Sequence, residues 1–185
     1  MGSTMLMSTV HYEAGALPRR PVVDGQNLSR TDPALLTVTD FKRERPVTVD
    51  VERQIDDALN DMINLGVRAL LVVKEQRIVG LITSYDIQGE RPIQFLQSSN
   101  YAHHRDVRVA HVMTPWPALQ AIDWQDLQSL QVGDLLDLLE EAKLTHIIIV
   151  ERVPEDPTCV VRALVSRARL LRQLVGAGTA APVGA

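Results

Sequence analysis

Residues 69–86 read ALLVVKEQRIVGLITSYD. Apolar strands are predicted at 67–73 and 78–82, joined by the polar residues 74–77, a four-residue turn that suits a hairpin. A helix is predicted to begin near Ser84, because a hydroxyl side chain at such a junction can cap the first helical turn. The segment therefore predicts two antiparallel strands that run directly into a helix.

The residues before this hairpin predict a short strand and a helix. Apolar side chains recur at helical spacing from Ile55 to Leu65, as on the buried face of an amphipathic helix. Gly66 follows as a candidate C-terminal cap, since glycine adopts the left-handed conformation that ends many helices. The segment 46–49 is short and rich in β-branched residues, which favours a strand. The unit thus has the order strand, helix, strand, strand, helix.

The same order of elements recurs in the second half of the chain. At offsets of 71, 77 and 83 residues, Pro46 aligns with Pro117, Ala69 with His146 and Thr83 with Ser166. The length changes fall in connections, where insertions are tolerated far better than in cores. We therefore predict an α/β fold of two pseudo-symmetric β-α-β-β-α repeats. Neither sheet can cover both of its faces alone, so the repeats should pack sheet to sheet.

Composition and charge restrict the class of protein. The 185 residues carry 19 Lys and Arg against 23 Asp and Glu, a net charge of -4, which argues against nucleic-acid binding through a basic surface. The single cysteine, Cys159, excludes an intrachain disulfide, and we expect it to be a buried apolar side chain. No apolar run approaches the roughly 20 residues of a membrane helix and no secretory signal is visible. We expect a cytoplasmic protein that binds neither membrane nor nucleic acid.

The repeats suggest a division of the chain into domains. Apolar periodicity is lost at both ends, where small and polar residues prevail, as in loosely held segments. We predict a partly flexible N-terminal arm at 1–36, repeats at 37–98 and 109–175 joined by a linker at 99–108, and a disordered tail at 176–185.

The hairpin and its junction resemble the CBS-domain family. The resemblance rests on a glycine, two apolar residues, a Thr or Ser, two variable residues and an Asp, here Gly80 to Asp86, after a buried strand and a tight hairpin. In the second repeat, Val112-Met113-Thr114-Pro115 is similar to the Met-Thr-Pro turn that often opens a CBS repeat, whereas the aligned residues 41–44 of the first repeat lack it. The resemblance covers about Thr37 to Leu174.

The resemblance implies a regulatory module without catalytic activity. Tandem CBS domains form a Bateman module, often dimerise into a flat disk, and bind AMP, ADP, ATP or S-adenosylmethionine in clefts between the repeats. The resemblance therefore implies a homodimer that binds an adenine-type nucleotide and regulates a partner protein that the sequence does not identify. We recognise no arrangement of catalytic or metal-binding residues and predict that the chain is not an enzyme. The alternative function is a structural dimerisation module with empty clefts.

Two residues match the binding motif of the family most directly. By resemblance, Thr83 would contact phosphate and Asp86 would accept hydrogen bonds from both ribose hydroxyls. A helix start at Ser84 would add unpaired backbone amides for the phosphate. The alternative is that these side chains only cap the helix. The family lines its base pocket at positions that correspond to Val47, Thr48, Val67, Arg68 and Ala69.

The second repeat departs from the motif. Ser166 keeps the hydroxyl, but Arg169 replaces the aspartate, and a guanidinium has only donors and prefers phosphate oxygens. A possible second site thus comprises Ser166, Arg169, His146 and Thr114. The cluster of Arg162, Arg167, Arg169 and Arg172 could bind a polyphosphate or form a solvated helix face.

Overall fold

Two four-stranded sheets form the framework of the protein. The computed structural model describes residues 27–99, 101, 103–153 and 159–175. The strands, in chain order, are β1 (Thr39–Asp40), β2 (Thr48–Asp50), β3 (Ala69–Lys74), β4 (Arg77–Thr83), β5 (Thr114–Pro115), β6 (Ala121–Asp123), β7 (His146–Arg152) and β8 (Cys159–Ser166). The sheets have the orders β2-β3-β4-β5 and β1-β8-β7-β6, so their topologies are equivalent.

Helices cover the outer face of each sheet. The helix predicted from Ile55 to Leu65 has those bounds, and Gly66 ends it with φ 66°, which confirms the predicted cap. Short 3-10 turns occur at 34–37, 104–106 and 116–118. The helices are α1 (Ile55–Leu65), α2 (Ser84–Gln88), α3 (Arg91–Ser98), α4 (Val109–Val112), α5 (Trp124–Leu127), α6 (Val132–Glu141) and α7 (Arg167–Val175).

The predicted hairpin turns through two residues, Glu75 and Gln76. Both have positive φ, 49° and 64°, and Lys74 pairs with Arg77 across the turn. Positive φ at both central positions is the geometry whose twist matches that of the flanking strands. The predicted hairpin is confirmed, but its turn has two residues instead of the four predicted, because Lys74 and Arg77 belong to the paired strands.

Each sheet takes its shortest outer strand from the other half of the chain. β1 pairs with β8, with Thr39 opposite Leu164, and β5 pairs with β4, with Thr114 opposite Leu81. The residues just before these strands also cross over. The amide of Ala34 donates to Leu130, and in the equivalent place Val109 donates to Arg53. The two halves are therefore interlocked around a pseudo-two-fold axis.

The pairing of β1 and β5 with strands of the other half of the chain changes the predicted alignment of the two repeats. Thr39 is equivalent to Thr114 at an offset of 75, and β2 is equivalent to β6 at an offset of 73, instead of the common offset of 71. The Met-Thr-Pro turn thus corresponds to residues 38–40, not to 42–44. Strands of two or three residues carry too little apolar periodicity to fix a register, which is set by pairing with the longer strands.

Successive side chains of the long strands enter two different cores. Leu70 and Ile82 point toward the helices of their own unit, whereas Leu71 and Leu81 are buried with Ile148 of the other sheet. Alternation of this kind is expected when both faces of a sheet are covered. The predicted packing of the two repeats sheet to sheet is confirmed.

Part of the predicted N-terminal arm is packed. Leu28 is 3% exposed in the core of the second unit, its amide donates to Gln173, and Arg30 pairs with Asp137 at 2.6 Å. Residues 27–36 are held because they bring apolar side chains to the helices of that unit. Residues 1–26, 154–158 and 176–185, including the predicted tail, lie outside the described residues.

Two other expectations concern the surface. Cys159 is exposed at the start of β8, so the expectation that it is buried was wrong: it pairs with Arg152 at the end of the second hairpin where the two strands are connected. Among the residues described, no helix is both long and apolar enough to cross a membrane.

Candidate functional site

Two clefts lie where the units meet, and each takes one wall from each unit. The cleft that we name the Asp86 cleft is a cavity of about 210 Å3. Its walls are the junction between β4 and α2, with Thr83 and Asp86, and residues 143–146 at the start of β7. Thr114 on the exchanged strand β5 closes one side.

The second cleft, which we name the arginine cleft, is a cavity of about 480 Å3. One wall is the junction between β8 and α7, and the other is the start of β3 in the first unit. The charged residues of its lining are Glu44, Arg45, Arg68, Arg169 and Arg172.

Strand pairing shows that the two clefts are pseudo-equivalent. Ala69 pairs with Thr83 in the first unit, as His146 pairs with Ser166 in the second. Counting along each chain segment from these pairs, Asp86 is equivalent to Arg169. The same architecture therefore presents a carboxylate in one cleft and a guanidinium in the other.

Within the Asp86 cleft, Thr83 and Asp86 form a capping box at the start of α2. Asp86 Oδ2 accepts hydrogen bonds from the amide and hydroxyl of Thr83, both at 2.7 Å, and the Asp86 amide donates to Thr83 Oγ1 at 3.2 Å. The amide of Ser84 donates to the carbonyl of Arg68 at 3.0 Å. These groups satisfy the helix start internally, as the capping alternative predicts.

Arg91 forms an ion pair with the other oxygen of the Asp86 carboxylate. Its Nη1 lies 2.9 Å from Asp86 Oδ1 and also donates to the carbonyl of Val112 at 2.8 Å and to Thr114 Oγ1 at 3.1 Å. The Asp86 side chain is 13% exposed. A ribose diol would have to compete with these donors for the same oxygens.

The arginine cleft has few internal partners for its charges. Arg169 Nη1 donates to Thr39 Oγ1 at 2.8 Å, which leaves its other donors available. Among the residues that the structure describes, none forms an ion pair with Arg45, Arg68 or Arg172. The apolar side chains in the lining are Phe41, Val47, Val67, Ala69, Leu71, Leu164 and Ala168.

His146 lies in the wall that the two clefts share. Burial lowers its pKa to about 4, and the nearby charge of Arg68 acts in the same direction. The imidazole is therefore neutral at neutral pH, with Nδ1 3.0 Å from Thr145 Oγ1. His146 contributes no charge to either cleft under those conditions.

Comparison with known proteins identifies the architecture. The CBS domain family matches residues 38–91, which run from the exchanged strand β1 to the start of α3 and include the hairpin and the motif that ends in Asp86. The second unit repeats the same topology. Residues 38–91 therefore match a CBS domain, and the chain has the fold of a CBS pair.

Solved structures share this CBS-pair fold. A protein with CBS domains from Burkholderia ambifaria is 20% identical with a TM-score of 0.53, over 75% of this chain and 88% of its own. CBSX2 in complex with AMP is 22% identical with a TM-score of 0.50, over 78% and 96%. The CBS domain of a bacterial CNNM/CorC family Mg2+ transporter in complex with ATP is 18% identical with a TM-score of 0.52, over 80% and 89%. No curated protein matches the sequence.

In this CBS pair, the residues predicted to form one binding site are divided between the two clefts. Thr83 and Asp86 line the Asp86 cleft, whereas Val47, Val67, Arg68 and Ala69 line the arginine cleft. They do not line a common cavity, because each cleft joins the strand-to-helix junction of one repeat to the helix-to-strand junction of the other. Thr48 and Ser84 line neither of these two cavities.

The residues predicted for a second site are divided in the same way. Ser166 and Arg169 line the arginine cleft, Thr114 lines the Asp86 cleft, and His146 lines both. Of the other two arginines in the predicted cluster, Arg162 pairs with Asp40 and Arg167 with Glu140.

Sequence reasoning missed Thr39, Arg45 and Arg91. Thr39 and Arg45 line the arginine cleft, and Arg91 engages Asp86. Proximity of Arg91 to the helix start was a weak signal, whereas nothing in the sequence pairs Thr39 with Arg169, 130 positions away. Within the described ranges, no three His, Cys, Asp or Glu side chains come together as metal ligands would.

Proposed function

We propose that this CBS pair is a regulatory module without catalytic activity that binds an adenine nucleotide in the arginine cleft. The fold is shared with a protein in complex with AMP and with another in complex with ATP. Ligand-binding clefts of this kind recur at interfaces between units, where two walls can surround a small molecule.

The observation that carries the proposal is the lining of the arginine cleft. Its volume of about 480 Å3 falls within the roughly 300–1,000 Å3 typical of small-molecule sites. Apolar side chains such as Val47 and Leu71 provide a surface for a base, while Arg169 and Ser166 lie at a helix start and provide donors for phosphate.

The sequence favoured the Asp86 cleft, and the geometry gives reasons to prefer the arginine cleft. The Asp86 cleft has less than half the volume, and both oxygens of its carboxylate are engaged by Thr83 and Arg91. Replacing internal bonds by ligand bonds gives little net free energy. The role of Asp86 as a ribose acceptor is therefore the less favoured assignment.

Calorimetric titration with AMP, ADP, ATP and S-adenosylmethionine tests the proposal. We expect at least one adenine nucleotide to bind with one site per chain, and Arg169→Ala to weaken it about tenfold or more, since charged hydrogen bonds contribute roughly 1.5–3 kcal/mol. The matched control is Arg105→Ala, an exposed arginine that lines neither cleft. Binding that survives Arg169→Ala but is lost in Asp86→Ala would place the ligand in the other cleft.

The second candidate function is structural dimerisation with empty clefts. The observation that favours it is made in the Asp86 cleft, where Arg91 already forms an ion pair with the carboxylate that would bind the donor groups of a ligand. If none of the four compounds binds the wild-type chain at millimolar concentration, this second function replaces the first.

A further inference from the structure

We infer that the arginine cleft selects nucleotides with a diphosphate or triphosphate chain over monophosphates. The inference rests on the proposed function and names the class of its ligand. It is carried by the number, placement and pairing of the cleft's charged side chains.

The first argument is charge balance. Four arginines and one glutamate line the cleft, so the lining has a formal excess of three positive charges when His146 is neutral. A terminal phosphate carries about two negative charges at neutral pH. A monophosphate thus leaves part of the excess uncompensated, whereas a longer phosphate chain matches or exceeds it.

The second argument is that the charges come from both walls. Arg169 and Arg172 are one helical turn apart on α7, so they share a face of that helix. Arg68 belongs to the other wall, just before β3, and Arg45 lies in the connection between β1 and β2. An anion with several phosphate groups offers oxygens along its length, and guanidinium groups on opposite walls can each engage a different phosphate.

The third argument is that these side chains are not committed elsewhere. Within the part of the chain that the structure describes, Arg45, Arg68 and Arg172 have no carboxylate partner, and Arg169 uses one donor on Thr39. Arg68 and His146 line the same cleft, and the charge of Arg68 contributes with burial to the lowered pKa of His146. Binding of phosphate would require no internal ion pair to break.

The fourth argument is that the positive charge belongs to this cleft and not to the repeat in general. In the equivalent positions of the Asp86 cleft, Thr145 corresponds to Arg68 and Asp86 to Arg169. With Arg169 in place of an aspartate, a ribose diol loses its usual acceptor. The binding free energy therefore has to come mainly from the phosphates and the base.

Titration of the full chain with adenosine, AMP, ADP and ATP, at low and at high salt concentration, tests the inference. We expect affinity to rise about tenfold for each added phosphate, and the difference between ATP and AMP to shrink in high salt because exposed charges are screened. In the double variant Arg45→Gln/Arg172→Gln, both exposed positions, ATP should bind about as weakly as AMP. Arg105→Gln is the matched control and should leave ATP binding unchanged.

Four results would overturn the inference, and they differ in what they mean for the proposed function. If AMP binds as tightly as ATP, selection by phosphate number is wrong while the nucleotide site stands. If the double variant binds ATP like the wild type, the arginine cleft is not what selects by phosphate number. If no nucleotide binds, the proposed function fails as well. If inorganic triphosphate binds as tightly as ATP, the base makes no contribution and the cleft is an anion site instead of a nucleotide site.

Discussion

At the scale of single residues, Asp86 and Arg169 show that equivalent positions of a duplicated fold can have different roles. Asp86 accepts bonds from Thr83 and from Arg91 and thereby holds the starts of α2 and α3 together. Arg169 bonds only to Thr39 among the described residues and keeps donors for an anion. One position stabilises the fold, and the other remains available for binding.

This difference predicts the effect of Asp86→Ala. The free energy of unfolding should fall by about 1–2 kcal/mol, because the capping box and its ion pair are lost, while nucleotide affinity should change less than threefold. Urea denaturation and calorimetric titration measure the two quantities. Glu141→Ala, an exposed acid at the end of α6, is the control. An unchanged stability with a tenfold loss of affinity would return the ligand to the Asp86 cleft.

At the scale of secondary-structure elements, an ionic cluster fastens the exchanged strand β1 to the second sheet. Arg162 on β8 is buried, pairs with Asp40 on β1, and lies 3.4 Å from a carboxylate oxygen of Glu151. Its guanidinium also lies 4.3 Å from the ring centre of Trp124, within the range of a cation–π interaction. A strand of two residues has few ladder bonds of its own, so this cluster supplies much of its attachment.

Asp40→Ala should therefore destabilise the protein by about 3 kcal/mol, because it removes one partner of a buried charge. The double change Asp40→Val/Arg162→Met should recover most of that loss, since apolar groups of similar size often replace a buried pair without cost. Chemical denaturation of both variants checks this. Lys42→Ala, which removes an exposed ion pair to the same Glu151, should cost at most about 1 kcal/mol. Equal effects of Asp40→Ala and Lys42→Ala would contradict the role assigned to the cluster.

At the scale of the whole molecule, apolar side chains remain exposed on one set of helices. Ile63 on α1 is 67% exposed, Tyr85 on α2 is 56% exposed and Ile93 on α3 is 57% exposed. α1 packs beside α2, and α2 beside α3, so these residues lie on neighbouring elements. Large exposed apolar groups on adjacent helices are typical of a protein interface.

We expect the protein to form a homodimer through this helical surface. Light scattering at micromolar concentration should give the mass of two chains, and Ile63→Lys should shift the equilibrium toward one chain, because a buried interface charge without a partner is unfavourable. Val160→Lys, at an exposed apolar position on β8, is the control. A single-chain mass for the wild type up to near-millimolar concentration would contradict the dimer.

Features encoded by local interactions could be predicted from the sequence. The helix from Ile55 to Leu65, its cap at Gly66 and the hairpin around Glu75 were all predicted, because helical periodicity, a left-handed cap and turn length depend on neighbours within a few residues. The duplication was also visible, since the long buried strands keep their apolar pattern when loops change length. The resemblance to CBS domains was visible in the residues that join β4 to α2.

Features set by distant contacts required the tertiary structure. The exchange of β1 and β5 left no periodic signal, since each strand has only two residues. The packing of one repeat against the other decides which strand start lies opposite each strand-to-helix junction. For this reason Arg68 and Asp86, which were predicted to form one site, line different clefts. The sequence by itself thus determined the repeat and its elements. The packing between the repeats decided which charged residues share a cleft, because contacts between residues far apart in the chain form only when the two sheets pack against each other.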